Sequence, residues 1–336
     1  MLTRTIAIHY VHAALRGALR RGHGAAGFLG PAGIGEGLLA DERARVTPAQ
    51  YTRLVQTLWE VLDDEFMGLG PQPSKRGTFP TMCLLAVHCA SLEEALRRGL
   101  GFYALFDVRP AMALGERDGA ATFTLDAAGV DDPDRFLVES LLVLWHRFSS
   151  WLIGRRIPLR GVDLAYPEPP HAAEYHLIFG APLRFGAPTT TLRFDTRFLR
   201  MPVVQDEAAL KRFLRGSPAE LLSRRDYGAD TSSLVRRVLG GGAAGLDEVA
   251  AGLGVSAPTL RRRLAAEGTS FREVREQLLR DQAVASLVRG GESVEELALR
   301  LGFSEASAFH RAFKRWTGSS PGAYRTGAAP QTGGNR

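Results

Sequence analysis

A short pattern occurs twice between residues 246 and 325, and both copies contain the same elements in the same order. Each copy has four apolar positions at helical spacing, then Gly, an apolar residue and Ser, and finally a second apolar stripe. The four positions are Leu246, Val249, Ala250 and Leu253 in the first copy, and Val294, Leu297, Ala298 and Leu301 in the second. The second stripe is Leu260 with Leu264, and Phe309 with Phe313. Spacings of three and four residues are typical of helices that bury one face.

Glycines separate the two predicted helices of each copy. Gly254 and Gly302 follow the last apolar residue of the first helix, where a left-handed residue without a Cβ ends a helix at low cost. Ser256 and Ser304 are placed to cap the second helix. Helix, Gly turn and helix predict a helix-turn-helix unit, whose second helix enters the major groove of DNA. A hairpin used only for packing is the alternative for one copy, and two copies with basic second helices favour DNA binding.

The outward faces of the second helices supply the candidate contacts. With Leu260 and Leu264 buried, Pro258 and Arg262 point the other way at 3.6 residues per turn. By the same register, Ser307 and Arg311 point outward from the second copy. Arginine reads guanine and also neutralises phosphate, although a solvated basic face is the alternative. The predicted DNA-binding residues are Pro258, Arg261, Arg262, Arg263, Ala306, Ser307, His310, Arg311, Lys314 and Arg315.

One amphipathic helix is predicted between the two copies, over residues 270–289. Ser293 and Glu296 form a capping box at the start of the second copy. The spacing predicts two major-groove readers on one chain, about one DNA turn apart on one face.

Residues 231–325 resemble the AraC/XylS family of bacterial transcription regulators. The resemblance is carried by residues 301–325, which read LGFSEASAFHRAFKRWTGSSPGAYR and match the family signature. It implies seven helices, promoter DNA and RNA polymerase as partners, and two recognition helices in successive major-groove segments. The residues at its base-reading positions are Pro258, Arg261, Arg262, Ala306, Ser307 and Arg311. Pro258 and Ala306 depart from that role because their side chains offer only apolar contact, for example with a thymine methyl group.

Residues 162–202 resemble the arabinose-binding-type sensor domain found upstream of AraC-like modules, within a match over about residues 20–205. The resemblance implies sensing of a small-molecule effector and formation of a homodimer, and it does not imply arabinose.

Local patterns in this half predict an α+β domain with antiparallel strands. Capping boxes at Thr47–Gln50 and Ser91–Glu94 begin two helices, and a hairpin turn at residues 117–119 joins two strands. A long apolar helix is predicted from Asp132 onward. The Gly-rich residues 27–37 match no nucleotide-binding motif and are predicted to be a connection.

The expected fold is thus an α+β N-terminal sensor domain followed by an all-α domain with two helix-turn-helix modules joined by a linker helix. The expected ranges are 1–205 for effector binding and dimerisation, 206–230 for a linker with one short helix, 231–326 for DNA binding, and 327–336 for a disordered tail.

Composition agrees with this interpretation. A formal charge of +6 suits an anionic partner, and Cys83 and Cys89 are expected to be reduced core thiols. Residues 1–22 lack the features of a signal peptide, and no stretch is long and apolar enough to span a membrane, so we expect a soluble, cytoplasmic protein without membrane contact. The reactive side chains form no catalytic or metal-binding pattern, so we predict neither enzyme activity nor a metal or cofactor.

The predicted function is sequence-specific transcription regulation, as an activator that responds to a small molecule. Aromatic residues that could line an effector pocket are Phe102, Tyr103, Phe106, Trp145 and Phe148, with core packing as the alternative. Two other functions stay open: a constitutive regulator whose N-terminal domain only dimerises, and an enzyme with a DNA-binding tail.

Overall fold

The structure is a computed structural model that describes residues 5–106, 109–215, 231–240, 244–267 and 269–326. Its strands are β1 (Ile6–Ala7), β2 (Arg45–Val46), β3 (Ala111–Arg117), β4 (Ala120–Asp126), β5 (Leu159–Asp163), β6 (Leu183–Arg184) and β7 (Thr190–Asp195). The helices up to residue 215 are α1 (Ile8–Arg20), α2 (Ala26–Ala32), α3 (Pro48–Leu62), α4 (Thr78–Val87), α5 (Leu92–Ala104), α6 (Phe136–Leu152), α7 (Ala172–Phe179) and α8 (Glu207–Arg215). The later helices are α9 (Thr231–Leu239), α10 (Leu246–Gly252), α11 (Ala257–Ala266), α12 (Phe271–Arg289), α13 (Val294–Arg300), α14 (Ala306–Thr317) and α15 (Pro321–Thr326).

The chain divides into two compact units. One unit contains residues 13–23 and 55–222, and the other contains residues 1–12, 24–54 and 223–336. The sequence did not indicate that two N-terminal segments belong to the same unit as the C-terminal helices. The functional boundaries at residues 205 and 231 stay a prediction.

A five-stranded sheet lies in the unit of residues 13–23 and 55–222, with strand order β3-β4-β7-β5-β6. Neighbouring strands are antiparallel, as expected, except that β5 and β6 pair in parallel. The predicted hairpin turn is confirmed: Asp118 and Gly119 have φ of 50° and 71°, and Arg117 pairs with Ala120. Positive φ at both central residues matches the right-handed twist of the two strands.

Helix α6 is the central helix of this unit, and most of its side chains are buried, including Trp145 and Phe148 at 1% exposure each. It begins at Phe136 and not at Asp132: Arg135 is the residue that flanks its first turn, and the Asp132 side chain bonds to the first amides of the helix. The Asp132 carboxylate accepts backbone hydrogen bonds from Phe136 at 3.0 Å and Leu137 at 2.8 Å. These bonds satisfy amide groups that have no partner within the helix.

Seven helices, α9 to α15, form the described part of residues 231–326, as the resemblance implied. The first module has one apolar core, composed of Val235, Leu239, Val249, Ala250, Leu260, Leu264, Val274 and Leu278. In the second module the Phe309 ring packs 5.4 Å from Phe303 and 5.7 Å from Phe313, and Tyr324 meets Phe313 at 5.3 Å. The two apolar stripes read from the sequence are therefore the buried stripes of α11 and α14.

In the unit of residues 1–12, 24–54 and 223–336, the N-terminal segments contact the C-terminal helices through buried polar groups. The Thr5 hydroxyl donates to Asp281 on α12, and the Arg45 guanidinium donates to the Thr5 hydroxyl at 2.8 Å. Asp281 also lies 3.5 Å from the guanidinium of Arg236. The Arg45 backbone N–H donates to the Tyr324 hydroxyl at 3.1 Å. All five residues are under 10% exposed, so these bonds lie inside the packed unit.

Two local predictions were wrong, and one helix had no prediction. Residues 27–37 are not a plain connection, because α2 spans Ala26–Ala32 and a 3-10 turn covers Glu36–Ala40; Phe28 and Leu29 are buried and stabilise the helix despite its glycines. The helix without a prediction is α1, which lies within residues 1–22. Ser304 does not cap α14, whose first flanking residue is Glu305.

The short helix expected in the linker is α8, and the rest of the linker together with the tail at 327–336 lies outside the described residues.

Candidate DNA-binding surface and sensor site

The turn of each module has the geometry that the sequence predicted. Gly254 and Gly302 have φ of 68° and 83°, in the left-handed region, and a Cβ at either position would meet open space. The conformation, rather than the available room, is what requires glycine there. Ser256 caps α11 by accepting a hydrogen bond from the Thr259 backbone N–H at 3.4 Å.

Helix α11 presents a cationic face opposite its buried stripe. Leu260 and Leu264 have no exposed surface, whereas Pro258 and the three arginines at 261–263 are exposed. Among the described residues none of these arginines pairs with a carboxylate. Unpaired guanidinium groups on one helix face are the arrangement that reads guanine or neutralises phosphate.

Helix α14 repeats this arrangement. Phe309 and Phe313 are fully buried, while the opposite face exposes Ser307, His310, Arg311, Lys314 and Arg315. Ala306 is half-buried.

Two residues of this face have partners. The Ser307 hydroxyl donates to Glu305 at 2.9 Å, and Arg315 lies 3.3 Å from Glu276 on α12. Arg311 and Lys314 have no carboxylate partner within the described ranges. The polar groups of the second face that stay open to DNA are therefore mostly cationic.

Glu292 fixes the connection between α12 and the second module. Hydrogen bonds from Arg300, at 2.6 Å, and from Ser286 lower the pKa of Glu292 to about 2. The Arg325 guanidinium donates to the Glu292 carbonyl oxygen at 2.8 Å. The charged carboxylate of Glu292 thus joins the end of the linker helix to α13, and its backbone carbonyl oxygen holds α15. Ser293 and Glu296 form the predicted capping box at the start of α13.

Comparison with protein families agrees with this geometry. The arabinose-binding N-terminal domain of AraC transcription regulators matches residues 22–203, and a helix-turn-helix domain matches residues 249–327. The chain belongs to the AraC family of transcription regulators. As an AraC-family member it is a DNA-binding transcription regulator and not an enzyme.

Individual relatives have the same role. The ornithine utilization regulator of Pseudomonas aeruginosa is 29% identical over 245 residues, which cover 70% of this chain and 71% of that protein. The regulator VirS of Mycobacterium tuberculosis is 33% identical over 172 residues, or 49% of this chain and 46% of VirS. The crystal structure of the transcriptional regulator CdpR from Pseudomonas aeruginosa aligns with a TM-score of 0.28 at 24% identity, covering 75% of this chain and 83% of that one.

The five aromatic residues suggested for an effector pocket do not share one environment. Tyr103, Trp145 and Phe148 are buried, with the Tyr103 and Trp145 rings 6.2 Å apart. Phe102 is half-buried, and Phe106 is 52% exposed and 5.2 Å from Phe102. Three of the five thus pack in the core, and two lie near the surface of this unit.

The structure shows a buried polar cluster that sequence reasoning missed. Glu139, on α6, is 3% exposed, and its carboxylate accepts a hydrogen bond from the Tyr175 hydroxyl. His171 lies 3.8 Å from the same carboxylate, and the Tyr166 hydroxyl is 3.3 Å from that of Tyr175. Burial raises the pKa of Glu139 to about 7, although hydrogen bonds from His171 and Tyr175 oppose the rise. A single carboxylate within a largely apolar helix was the signal that could have revealed it.

Other features of the described residues bear on the remaining predictions. Cys83 and Cys89 are both free and buried. No group of three or more His, Cys, Asp or Glu side chains in the described ranges could hold a metal ion. In the same ranges no helix combines the length and hydropathy needed to span a membrane.

Proposed function

We propose that the protein reads promoter DNA with two recognition helices, α11 and α14, placed in successive segments of the major groove. The observation that carries this proposal is the match between the two modules. Each has a fully buried apolar stripe, a left-handed glycine turn, and an opposite face with unpaired cations. Packing alone would not require cations on both outer faces.

Arg262 and Arg311 are the proposed base-reading residues, since each lies on the face opposite its buried stripe. Pro258 and Ala306 contribute apolar contact, as with a thymine methyl group. The remaining proposed contacts to bases or phosphates are Arg261, Arg263, Ser307, His310, Lys314 and Arg315.

The N-terminal domain is proposed to sense a small-molecule effector and to form a homodimer. The DNA-bound protein is proposed to act in the cytoplasm as an activator that contacts RNA polymerase. The effector shifts transcription only if it binds one domain or dimer arrangement more tightly than another. Phe102 and Phe106 are the aromatic residues that retain exposed surface for it.

The first effector to test is ornithine, because one relative regulates ornithine utilization. Calorimetric titration of the full chain with ornithine, alanine and lysine measures binding directly. Saturable binding that also changes DNA affinity supports an effector-responsive regulator. DNA binding that no small molecule alters, together with a stable dimer, supports the constitutive alternative.

Fluorescence anisotropy with a bound promoter fragment and a scrambled fragment tests the DNA contacts. Arg262→Ala and Arg311→Ala are each expected to weaken specific binding by about 1–3 kcal/mol. Arg289→Ala, at an exposed arginine near the end of α12, serves as the charge-matched control and should change little. An equal loss on both fragments would assign the two arginines to phosphate instead of bases.

A further inference from the structure

A groove of about 370 Å³ lies between the linker helix α12 and the second helix-turn-helix module. Its walls come from three places: the first half of α12, the turn at residues 301–303, and the second half of α14. This volume is within the range of ligand pockets, roughly 300–1,000 Å³. The groove belongs to the DNA-binding region and is distinct from the sensor residues.

More than half of the residues that line the groove are apolar, and three of them are aromatic. Phe271 and Leu279 contribute from α12, Phe303 from the turn, and Ala312 and Trp316 from α14. The Phe303 and Trp316 rings meet edge to face at 6.2 Å. An apolar or ring-shaped body would bury surface against these side chains.

The polar side chains of the groove are four donors and one acceptor. The donors are Arg272, Arg275, Arg315 and the Trp316 indole, and the acceptor is Glu276. Glu276 is already engaged, because its carboxylate lies 3.5 Å from Arg272 and 3.3 Å from Arg315.

Two of the donors stay unmatched. Arg275 is exposed and pairs with no carboxylate among the described residues. The Trp316 indole N–H is enclosed and has no hydrogen-bond partner in the same set. Arg275 is the one of the two that is open to solvent, so a ligand in the groove could pair with it directly. Arg272 and Arg315 both lie against Oε1 of Glu276, so Arg275 is the cation of the groove that stays open to a ligand.

We propose that this groove binds a small amphipathic anion, namely a carboxylate carried on an apolar, ring-sized body. The carboxylate would pair with Arg275, and the body would lie against Phe303 and Trp316. A cationic ligand is disfavoured by the arginines, and a neutral apolar one would leave the donors unmatched.

Such a ligand would touch both the linker helix and a recognition helix. It would therefore favour one placement of α14 against α12 over others, and DNA selects among the same placements. Coupling of this kind is reciprocal: the factor by which ligand changes DNA affinity equals the factor by which DNA changes ligand affinity. The groove would give the regulator a second input, independent of its sensor domain.

The test uses the full chain labelled with ¹⁵N, whose four tryptophans give four indole N–H signals. Trp316→Phe identifies the Trp316 signal. The probes are 4-phenylbutyrate, the neutral 4-phenylbutanol and the cationic 4-phenylbutylamine, which share one apolar body. The proposal expects phenylbutyrate to shift the Trp316 signal saturably, with the alcohol about tenfold weaker and the amine weaker still.

Arg275→Gln is expected to weaken phenylbutyrate binding about tenfold, whereas Arg289→Gln, which removes a charge from the same helix outside the groove, should leave it unchanged. A dispersed Trp316 signal in each variant before ligand is added shows that the DNA-binding unit is folded, because the other three tryptophans lie in the unit of residues 13–23 and 55–222. Equal binding of acid and alcohol, or no saturable shift with the acid, would overturn the proposal. So would an Arg275→Gln variant that loses affinity for DNA of any sequence but keeps phenylbutyrate binding, because Arg275 would then serve DNA phosphate.

Discussion

Replacing Glu139 by glutamine removes a titrating group from the interior while keeping its shape. Glutamine still offers an oxygen to the Tyr175 hydroxyl, but it cannot become charged. In the wild-type protein the carboxylate is buried, and only one of its oxygens has a partner among the described residues. Its pKa of about 7 means that the folded protein holds this proton at pH values where the unfolded chain has released it.

The sign and size of the effect follow from that difference. Because the pKa of Glu139 is raised in the folded state, its contribution to stability is fully present below pH 4.5, the ordinary pKa of a glutamate. This contribution is lost as the pH rises to about 7. The difference between about 7 and 4.5 corresponds to about 3 kcal/mol. Glu139→Gln should therefore lose less stability than the wild type between pH 5 and 8, and it should be the more stable protein at pH 8.

Urea unfolding at half-unit steps across this range measures the difference. Glu65, whose pKa burial also raises to about 7, is present in both proteins, so the difference between them isolates Glu139. Glu60→Gln, at an exposed glutamate, is the matched control and should follow the wild type. Parallel stability curves for the wild type and Glu139→Gln would refute the reasoning.

Two further predictions concern the DNA-binding unit. Asp281→Ala removes a carboxylate that lies 3.5 Å from the buried guanidinium of Arg236 and accepts a hydrogen bond from Thr5. Urea denaturation should therefore show that the free energy of unfolding falls by about 3–5 kcal/mol, whereas Thr5→Ala should lower it by about 1 kcal/mol. Similar losses for the two variants would contradict the importance of the buried charge. Ser293→Ala breaks a capping box and should cost about 1 kcal/mol, whereas Ser304→Ala, at a serine that caps no helix, should be nearly neutral. An equal cost for the two serine variants would show that the capping assignment is wrong.

The helix-turn-helix region could be predicted because its signals are local. Apolar spacing, a glycine in the left-handed region and a capping box each act within a few residues, and Gly254, Gly302 and Ser293 all have the predicted roles. The one local error in this region is at Ser304, because the residue that flanks the first turn of α14 is Glu305, one position later.

Long-range contacts could not be predicted in this way. Thr5 and Asp281 are 276 positions apart, and no periodicity indicates that they meet inside one unit. The parallel pairing of β5 and β6 and the cluster around Glu139 likewise depend on tertiary packing. Residues 27–37 show the same limit, since burial of Phe28 and Leu29 outweighs the low helix propensity of the neighbouring glycines.

The most direct test of the central claim is titration of promoter fragments from the neighbourhood of the protein's own gene, with the full chain and over a salt series. The account predicts tight binding to one fragment over the others, with an affinity that falls steeply as salt rises, because the cations of α11 and α14 displace counterions from phosphates. Equal binding to all fragments, or binding that salt does not weaken, would contradict the claim that these two helices read promoter DNA.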